Sequence, residues 1–327
     1  MKRPYAALRV AALGLAAFAA AAVPAYSHAA PPWPSRPITV IVPFPPGPVD
    51  ANVRILTTKV SAILGQPLVL ENRPGAGQRI GGAALARAPR DGYTIGVITQ
   101  AGAVVAPVLD ATAQYDVRKD FTYLTMGYES PFIVTTPASS GIRTLRQLVD
   151  QAKAKPGAYK FGSTGAGTAF HIWGEAFNST AGIKLLHVPY KGESPLLQDL
   201  VGGQVDMAFS SPTVRNLVES GKLVALATTG DTRAPQFPDV PTVREQGVPF
   251  SAVSWLGFGA PAGIPDAIRD RLVAAFHEAM RDPQVQATFL ANGLQLQPTS
   301  PEQFRQQVNS ETARLKKMVT SLGIRLE

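Results

Sequence analysis

Two glycine-bearing turns carry the groups of this chain best suited to chemistry. The first is Pro43-Phe44-Pro45-Pro46-Gly47-Pro48-Val49-Asp50 and the second is Phe161-Gly162-Ser163-Thr164-Gly165-Ala166-Gly167-Thr168. Each leaves an apolar strand pattern and opens a helix pattern. Such turns expose backbone N–H groups at the positive end of a helix, where a small anion can sit. Because they lie in different halves of the chain, they point to a carboxylate-sized ligand gripped from both sides of a cleft.

The two turns differ in what they can donate. Proline has no N–H, so the first turn offers only the backbone of Phe44, Gly47, Val49 and Asp50. With Gly47 as the N-cap, Pro48 takes the first helical position and Asp50 falls in the first turn. A carboxylate at Asp50 repels an anion in direct contact, so it either braces the loop or meets a ligand's amino group. A plain proline-rich strand-to-helix turn is the alternative reading of the whole segment. In the second turn every residue from Gly162 to Thr168 keeps its N–H, and Ser163, Thr164 and Thr168 add hydroxyls. Glycine there allows close approach and positive φ. Thr168 is the expected N-cap of a helix bearing His171 and Trp173, and His171 either faces the ligand or packs within the fold.

Something must position these turns. Strand-length apolar runs at 38–42, 68–70, 93–99, 160–161, 185–188, 207–209 and 224–228 alternate with helical patterns at 50–64, 145–155, 168–180, 195–201 and 214–220. That alternation predicts an α/β protein with parallel sheets. Helices are expected at 266–280, 283–291 and 302–322, with no long strand among them. The extended apolar stretches 123–137 and 251–263 read as two crossings between lobes. They make the first lobe discontinuous, 31–128 plus 256–327, with 129–255 as the second, and a two-stranded connection of this kind permits hinge closure.

The N-terminus predicts an export signal over residues 1–30. Lys2, Arg3 and Arg9 flank the start of an Ala/Leu-rich run, and Ser27-His28-Ala29 offers small residues ahead of a cut. The apolar run 10–23 is short for a membrane span, and an uncleaved anchor is the alternative. Removal of the leader leaves about 297 of the 327 residues and lowers the formal charge from +8 to about +5. A soluble periplasmic product follows. The chain has no cysteine, which rules out disulfides, a lipid-modified cysteine, a thiol nucleophile and thiolate metal sites. Its basic residues are interleaved with acidic ones rather than clustered, so no nucleic-acid surface is expected, although a modest positive field favours anionic solutes.

Enzyme signatures are missing as well. There is no Gly-x-Ser-x-Gly elbow, no His-Glu-x-x-His and no Walker loop. After the leader only His171, His187 and His277 remain, at spacings that fit no metal pattern. Gly75, Gly77 and Gly81 have the wrong spacing for a dinucleotide loop. No catalytic residue, metal or cofactor is expected.

Several motifs together resemble the substrate-binding proteins of tripartite tricarboxylate transporters, the Bug family. They are Trp33-Pro34-Ser35-Arg36-Pro37-Ile38, the first turn with Asp50 and Arg54, Asn72-Arg73-Pro74-Gly75-Ala76-Gly77 and Asp91-Gly92-Tyr93-Thr94. The second turn with His171, Val188-Pro189-Tyr190-Lys191-Gly192, Gly202-Gly203-Gln204-Val205-Asp206 and Pro238-Asp239-Val240-Pro241-Thr242 complete the set, in consistent order over nearly the whole mature chain. The resemblance implies a type II-like periplasmic binding protein. Two α/β lobes joined by a two-stranded hinge would enclose a ligand cleft, and the protein would act as a monomer. It would deliver a small organic carboxylate to a permease of one large and one small membrane subunit. A carboxylate-sensing protein that presents its ligand to a membrane sensor kinase is the alternative. Carried over by the resemblance, Phe44, Gly47 and Asp50 form one wall, and Ser163, Thr164, Gly165, Thr168 and His171 the other. Thr99, Gln100, Tyr190 and Asp206 are further candidates at strand ends or turns.

Two departures from the family pattern stand out. One glycine is missing from the first turn, giving Gly47-Pro48-Val49-Asp50, a shorter loop with fewer donors. The third motif runs Gly75-Ala76-Gly77-Gln78-Arg79, where Arg79 is either a bidentate partner for a second carboxylate or a surface side chain.

Overall fold

A computed structural model describes residues 33–109, 115–165 and 168–322. The expected export leader lies outside them, as do Ala166 and Gly167 of the second turn. Among the described residues no helix is long and apolar enough to cross a membrane.

The chain builds two α/β lobes around two sheets. The first sheet takes β1 (Ile38–Val42), β2 (Leu68–Asn72), β3 (Thr94–Thr99), β4 (Phe121–Pro131), β10 (Val253–Pro261) and β11 (Gln295–Leu296), in the order β11-β4-β10-β3-β1-β2. The second takes β5 (Ile133–Pro137), β6 (Lys160–Ser163), β7 (Leu186–Pro189), β8 (Met207–Ser210) and β9 (Leu223–Thr228), in the order β7-β6-β8-β5-β9. Both sheets are mixed, where alternation predicted parallel ones. β1 pairs in parallel with β2 and β3, and β6 with β7 and β8. By contrast β10 runs antiparallel to β3 and β4, and β5 antiparallel to β8 and β9. β5 and β10 adjoin the crossings, and the short β11 also pairs antiparallel, with β4. The stretches read as linkers are extended as expected, but they are long ladder-forming strands rather than free connections.

Local chemistry sets the helices α1 (Pro48–Leu64), α2 (Arg79–Ala86), α3 (Ala106–Leu109), α4 (Leu145–Ala154), α5 (Ala169–Ala181), α6 (Glu193–Val201), α7 (Arg215–Glu219), α8 (Asp266–Arg281), α9 (Pro283–Ala291) and α10 (Pro301–Leu322). α1 starts on Gly47 with proline at N1, as expected, and ends on Gly65 in the left-handed region. Thr144 and Gln147 close a capping box on α4. Asp282 accepts hydrogen bonds from the N–H groups of Gln284 and Val285 at the start of α9. The three C-terminal helices lie within a residue or so of the expected spans.

Each lobe has its own core. In the first, Ile41, Ile98, Met126, Trp255, Phe304 and Val308 pack together; in the second, Phe132, Val134, Phe161, Phe177, Phe209 and Phe250 do. α5 lies directly on β6 because Gly174 faces the ring of the fully buried Phe161, where a Cβ would collide with it. A Gly174→Ala variant therefore overpacks this seam. Its expected cost is ~1–3 kcal/mol, read as a lower midpoint in urea unfolding.

The lobes also touch through α5 and α10. Ile172 of α5 is buried among first-lobe residues, and the Arg314 guanidinium of α10 sits 5.6 Å from the ring centre of Trp173.

Candidate functional site

Parallel α/β sheets present ligand sites beyond the carboxyl ends of their strands. In the first lobe those ends carry three segments: the turn 43–47 after β1, the turn 73–78 after β2, which closes in a 3-10 helix over Ala76–Gln78, and a π-helical turn over Ala101–Val105 after β3. In the second lobe they carry the turn after β6. Both sets adjoin the crossing: Thr99 pairs with Leu256 near the start of β10, and β5 begins at Ile133 opposite Ser210, the last residue of β8.

The first-lobe turns are tied to one another by side chains. Asn72 donates through Nδ2 to the Phe44 carbonyl and to Asp50 Oδ1, both at 2.9 Å. Arg54 holds the other Asp50 oxygen at 3.3 Å. The buried Asp50 carboxylate therefore braces the loop, the first of the two roles open to it. Gln78 joins the second turn to the third by accepting from the Thr99 hydroxyl, and Thr99 Oγ1 accepts the Gly102 N–H at 3.1 Å. Ala76 and Gln78 hold positive φ, 47° and 75°, a conformation that non-glycine residues keep only where their surroundings impose it. Gly47 is exposed and extended, at φ 165°, so its conformation does not demand glycine. What it leaves open is the start of α1, where the N–H groups of Val49 and Asp50 have no intrahelical acceptor.

Removing the Asp50 carboxylate should loosen this brace. Asp50→Ala leaves the Asn72 amide and Arg54 short of a partner, at ~1–2 kcal/mol of stability, with Asp50→Asn milder. Thermal melts of the two variants beside the parent check this ordering.

The second-lobe turn is held from within. Ser163 is fully buried, and its Oγ contacts His187 Nε2 at 2.7 Å, the Gly165 carbonyl at 3.0 Å and the Gly165 N–H at 3.2 Å. Gly165 adopts φ 137°, which favours glycine. Thr168 is the N-cap of α5 as expected, and its hydroxyl donates to the Gly165 carbonyl at 2.8 Å. Thr164 donates to the Thr168 hydroxyl at 3.4 Å. Two groups read as ligand donors are thus engaged internally. The Ser163 hydroxyl is out of reach behind the turn, and the Gly165 N–H is bonded to it. Among the described residues, the Thr164 N–H and the first N–H groups of α5, which have no intrahelical acceptor, are the donors left to the turn.

His171 stacks on His187 with ring centres 3.9 Å apart and planes 11° apart, and His187 stacks in turn on Phe161 at 5.0 Å. Burial lowers the pKa of both histidines. His187 is pushed down to about 4, with the neighbouring His171 adding to the effect, while Glu175 pulls His171 the other way. His171 thus packs against His187, one turn into α5. A serine and a histidine at 2.7 Å could suggest a nucleophile, but the full burial of Ser163 denies it to any substrate.

The remaining candidates divide. Tyr190 supports the turn: its N–H donates to the Ser163 carbonyl at 2.9 Å and its hydroxyl to Asp199. Burial and that carboxylate raise the Tyr190 hydroxyl to about 12. Asp206 does not join the site. Its carboxylate accepts the Lys160 N–H at 2.7 Å, at the amino end of β6, whereas the turn leaves the carboxyl end. Gln100 points to the crossing, where it donates to Glu311 at 3.0 Å and lines a polar cavity of about 400 Å³ with Glu129, Asp231, Arg244 and Arg314. Burial raises the Glu129 pKa there, with Asp231 and Glu311 adding to it. Arg79 opens α2 and donates to the Ala76 carbonyl at 2.9 Å.

No motif in the sequence marks His187 as a partner of the turn. Its signal is the β6/β7 register, Phe161 opposite His187, which puts the ring on the same sheet face as Ser163 two residues on.

Known proteins resemble this chain in sequence and in fold. The profile of the tripartite tricarboxylate transporter family receptor matches residues 52–324. A UPF0065 protein from the tcbD-tcbE intergenic region of Pseudomonas sp. strain P51 is 38% identical over 88% of this chain and 86% of its own. Protein BugT of Bordetella pertussis is 34% identical over 90% and 92%. Two solved structures superpose over 90% and 88% of this chain and nearly all of theirs. R. palustris Rpa4515 with adipate gives a TM-score of 0.74 at 29% identity, and MatC from Rhodopseudomonas palustris with bound malate 0.70 at 30%. The chain belongs to the tripartite tricarboxylate transporter receptor family, whose members are solute-binding proteins rather than enzymes.

Proposed function

We propose that this protein captures a small organic carboxylate between its lobes and delivers it to a tripartite permease of one large and one small membrane subunit. It would do so in the periplasm after export. The observation that carries the reading is the pair of helix-opening turns, at Gly47 and at Thr168, beside one two-stranded crossing. Relatives solved with adipate and with malate supply the ligand class.

The grip is asymmetric. Thr164 and the N-terminus of α5, capped by Thr168, hold a carboxylate group through N–H and hydroxyl donors, on a turn kept in shape by Ser163, Gly165 and His171. The proline-rich loop around Phe44 and Gly47, poor in N–H donors and braced by Asp50, closes over the ligand from the first lobe. Arg79, Thr99 and Gln100 stand at the neighbouring turns, where the rest of a larger acid would reach, and Tyr190 supports the grip from behind. A micromolar ligand needs about 8 kcal/mol, within reach of several charge-assisted backbone hydrogen bonds in a closed cleft.

Thermal-shift screening of mono-, di- and tricarboxylates, nicotinate and aromatic acids tests the reading. At least one acid should raise the melting midpoint in a concentration-dependent way, as ligands of the native state do. A flat response across the whole set contradicts it.

A further inference from the structure

A strand-to-helix turn needs no aromatic scaffold, yet three stacked rings, Phe161, His187 and His171, lie behind this one. Ser163 Oγ is where the stack meets the turn. A hydroxyl has one proton and two lone pairs. Donation to the Gly165 carbonyl, acceptance from the Gly165 N–H and acceptance from His187 Nε2–H satisfy all three contacts at once. That scheme uses His187 as the Nε2–H tautomer. The ring is held in place by its sandwich between Phe161 on β6 and His171 on α5.

We propose that His187 is the positioning residue of the carboxylate-gripping turn, holding the Gly165 peptide through Ser163 in the orientation that leaves the Thr164 N–H and the α5 N-terminus open to ligand. This deepens the function proposed above and rests on that reading of the turn. His187 itself touches no ligand. Its effect passes through one buried hydroxyl, so it should vanish when that hydroxyl is removed. The ionisable groups that bear on the stack are the two histidines themselves and Glu175 one turn along α5, while β6 contributes the uncharged Phe161 and Ser163.

The test uses His187→Ala, His187→Gln and Ser163→Ala in the full chain, with two readouts. Amide hydrogen exchange in the ligand-free protein reports how firmly the Gly165 N–H is held. Calorimetric titration with adipate and with malate reports capture. His187→Ala should speed Gly165 exchange at least ~10-fold, with exchange in β1 unchanged, and weaken the tighter-bound acid by ~10-fold or more. His187→Gln, which restores an N–H of similar reach, should recover most of both. Ser163→Ala should match His187→Ala, and combining the two should add little, the signature of one shared interaction. Wild-type Gly165 exchange in His187→Ala, or fully additive effects of the two changes, overturns the proposal. Should His187→Ala fail to fold, Ser163→Ala and His187→Gln carry the same comparison. The exchange readout judges the positioning role even if neither acid binds, whereas intact binding in Gly165→Val would remove the reading of the turn alone.

Discussion

Replacing Gly165 with valine is expected to weaken carboxylate capture by about 100-fold, equivalent to ~2.7 kcal/mol, while the protein still folds. Space is not the obstacle. A Cβ at Gly165 would lie 3.4 Å from the Thr168 Cγ2 and 3.6 Å from the Tyr190 carbonyl, close to ordinary contact. The backbone is the obstacle, because φ 137° is open to glycine and strained for a β-branched residue. Holding such a residue there costs ~1–3 kcal/mol, so the turn relaxes and breaks its bonds to Ser163 and Thr168. The N–H groups beside it lose their common aim. The site sits at a lobe surface, so the two cores keep their packing. Titration with adipate and malate, alongside urea unfolding, separates the two effects: affinity should collapse with only a small change in midpoint. Wild-type affinity in this variant would remove the second turn from the site.

The second large effect concerns acid. Burial, with the neighbouring His171, pushes the His187 pKa down to about 4 in the folded protein, against an ordinary value of 6.5. Between those values the unfolded chain binds a proton that the folded protein refuses, so stability rises with pH across this window. The contribution is complete above 6.5 and is lost as the pH falls towards 4 and below. His171 acts in the same direction through its own burial. The melting midpoint should therefore drop between pH 7 and pH 4.5 by several degrees more in the parent than in His187→Gln, which has no proton to take up. Equal drops in both would show that the stacked pair is not held neutral. Carboxylates held in ion pairs also lose stability in acid, and Asp116 and Asp282 are lowered by their cationic partners. The comparison between variants cancels that background.

Short-range chemistry made much of this protein readable from its residues. Proline after Gly47 and threonine ahead of an apolar helical run announce their caps, because each acts within one turn of chain. The C-terminal helices were equally plain, since their apolar positions recur over two or more turns. Long-range pairing was not readable. Stretches 123–137 and 251–263 looked like linkers because a central strand buried on both faces shows an apolar run without alternation. Whether such a run pairs antiparallel depends on a partner more than a hundred residues away, as with Val253 opposite Pro131. The same distance hid the internal bonds of the site. Ser163 and Gly165 carry the right donors, but only the β6/β7 register reveals that His187 and the turn itself already use them. Asp206 misled for a related reason: its motif places it in a turn, and the direction of β8 decides which end of the sheet that turn occupies.

Backbone amide shifts in ¹⁵N-labelled protein, followed as adipate or malate is added to saturation, test the central claim most directly. A carboxylate held between two helix-opening turns should produce its largest shifts at Thr164 and at the first amides of α5, with a second group at Val49 and Asp50 and almost none at Asp206. Largest shifts elsewhere, or shifts confined to one lobe, would contradict a ligand gripped between the two turns.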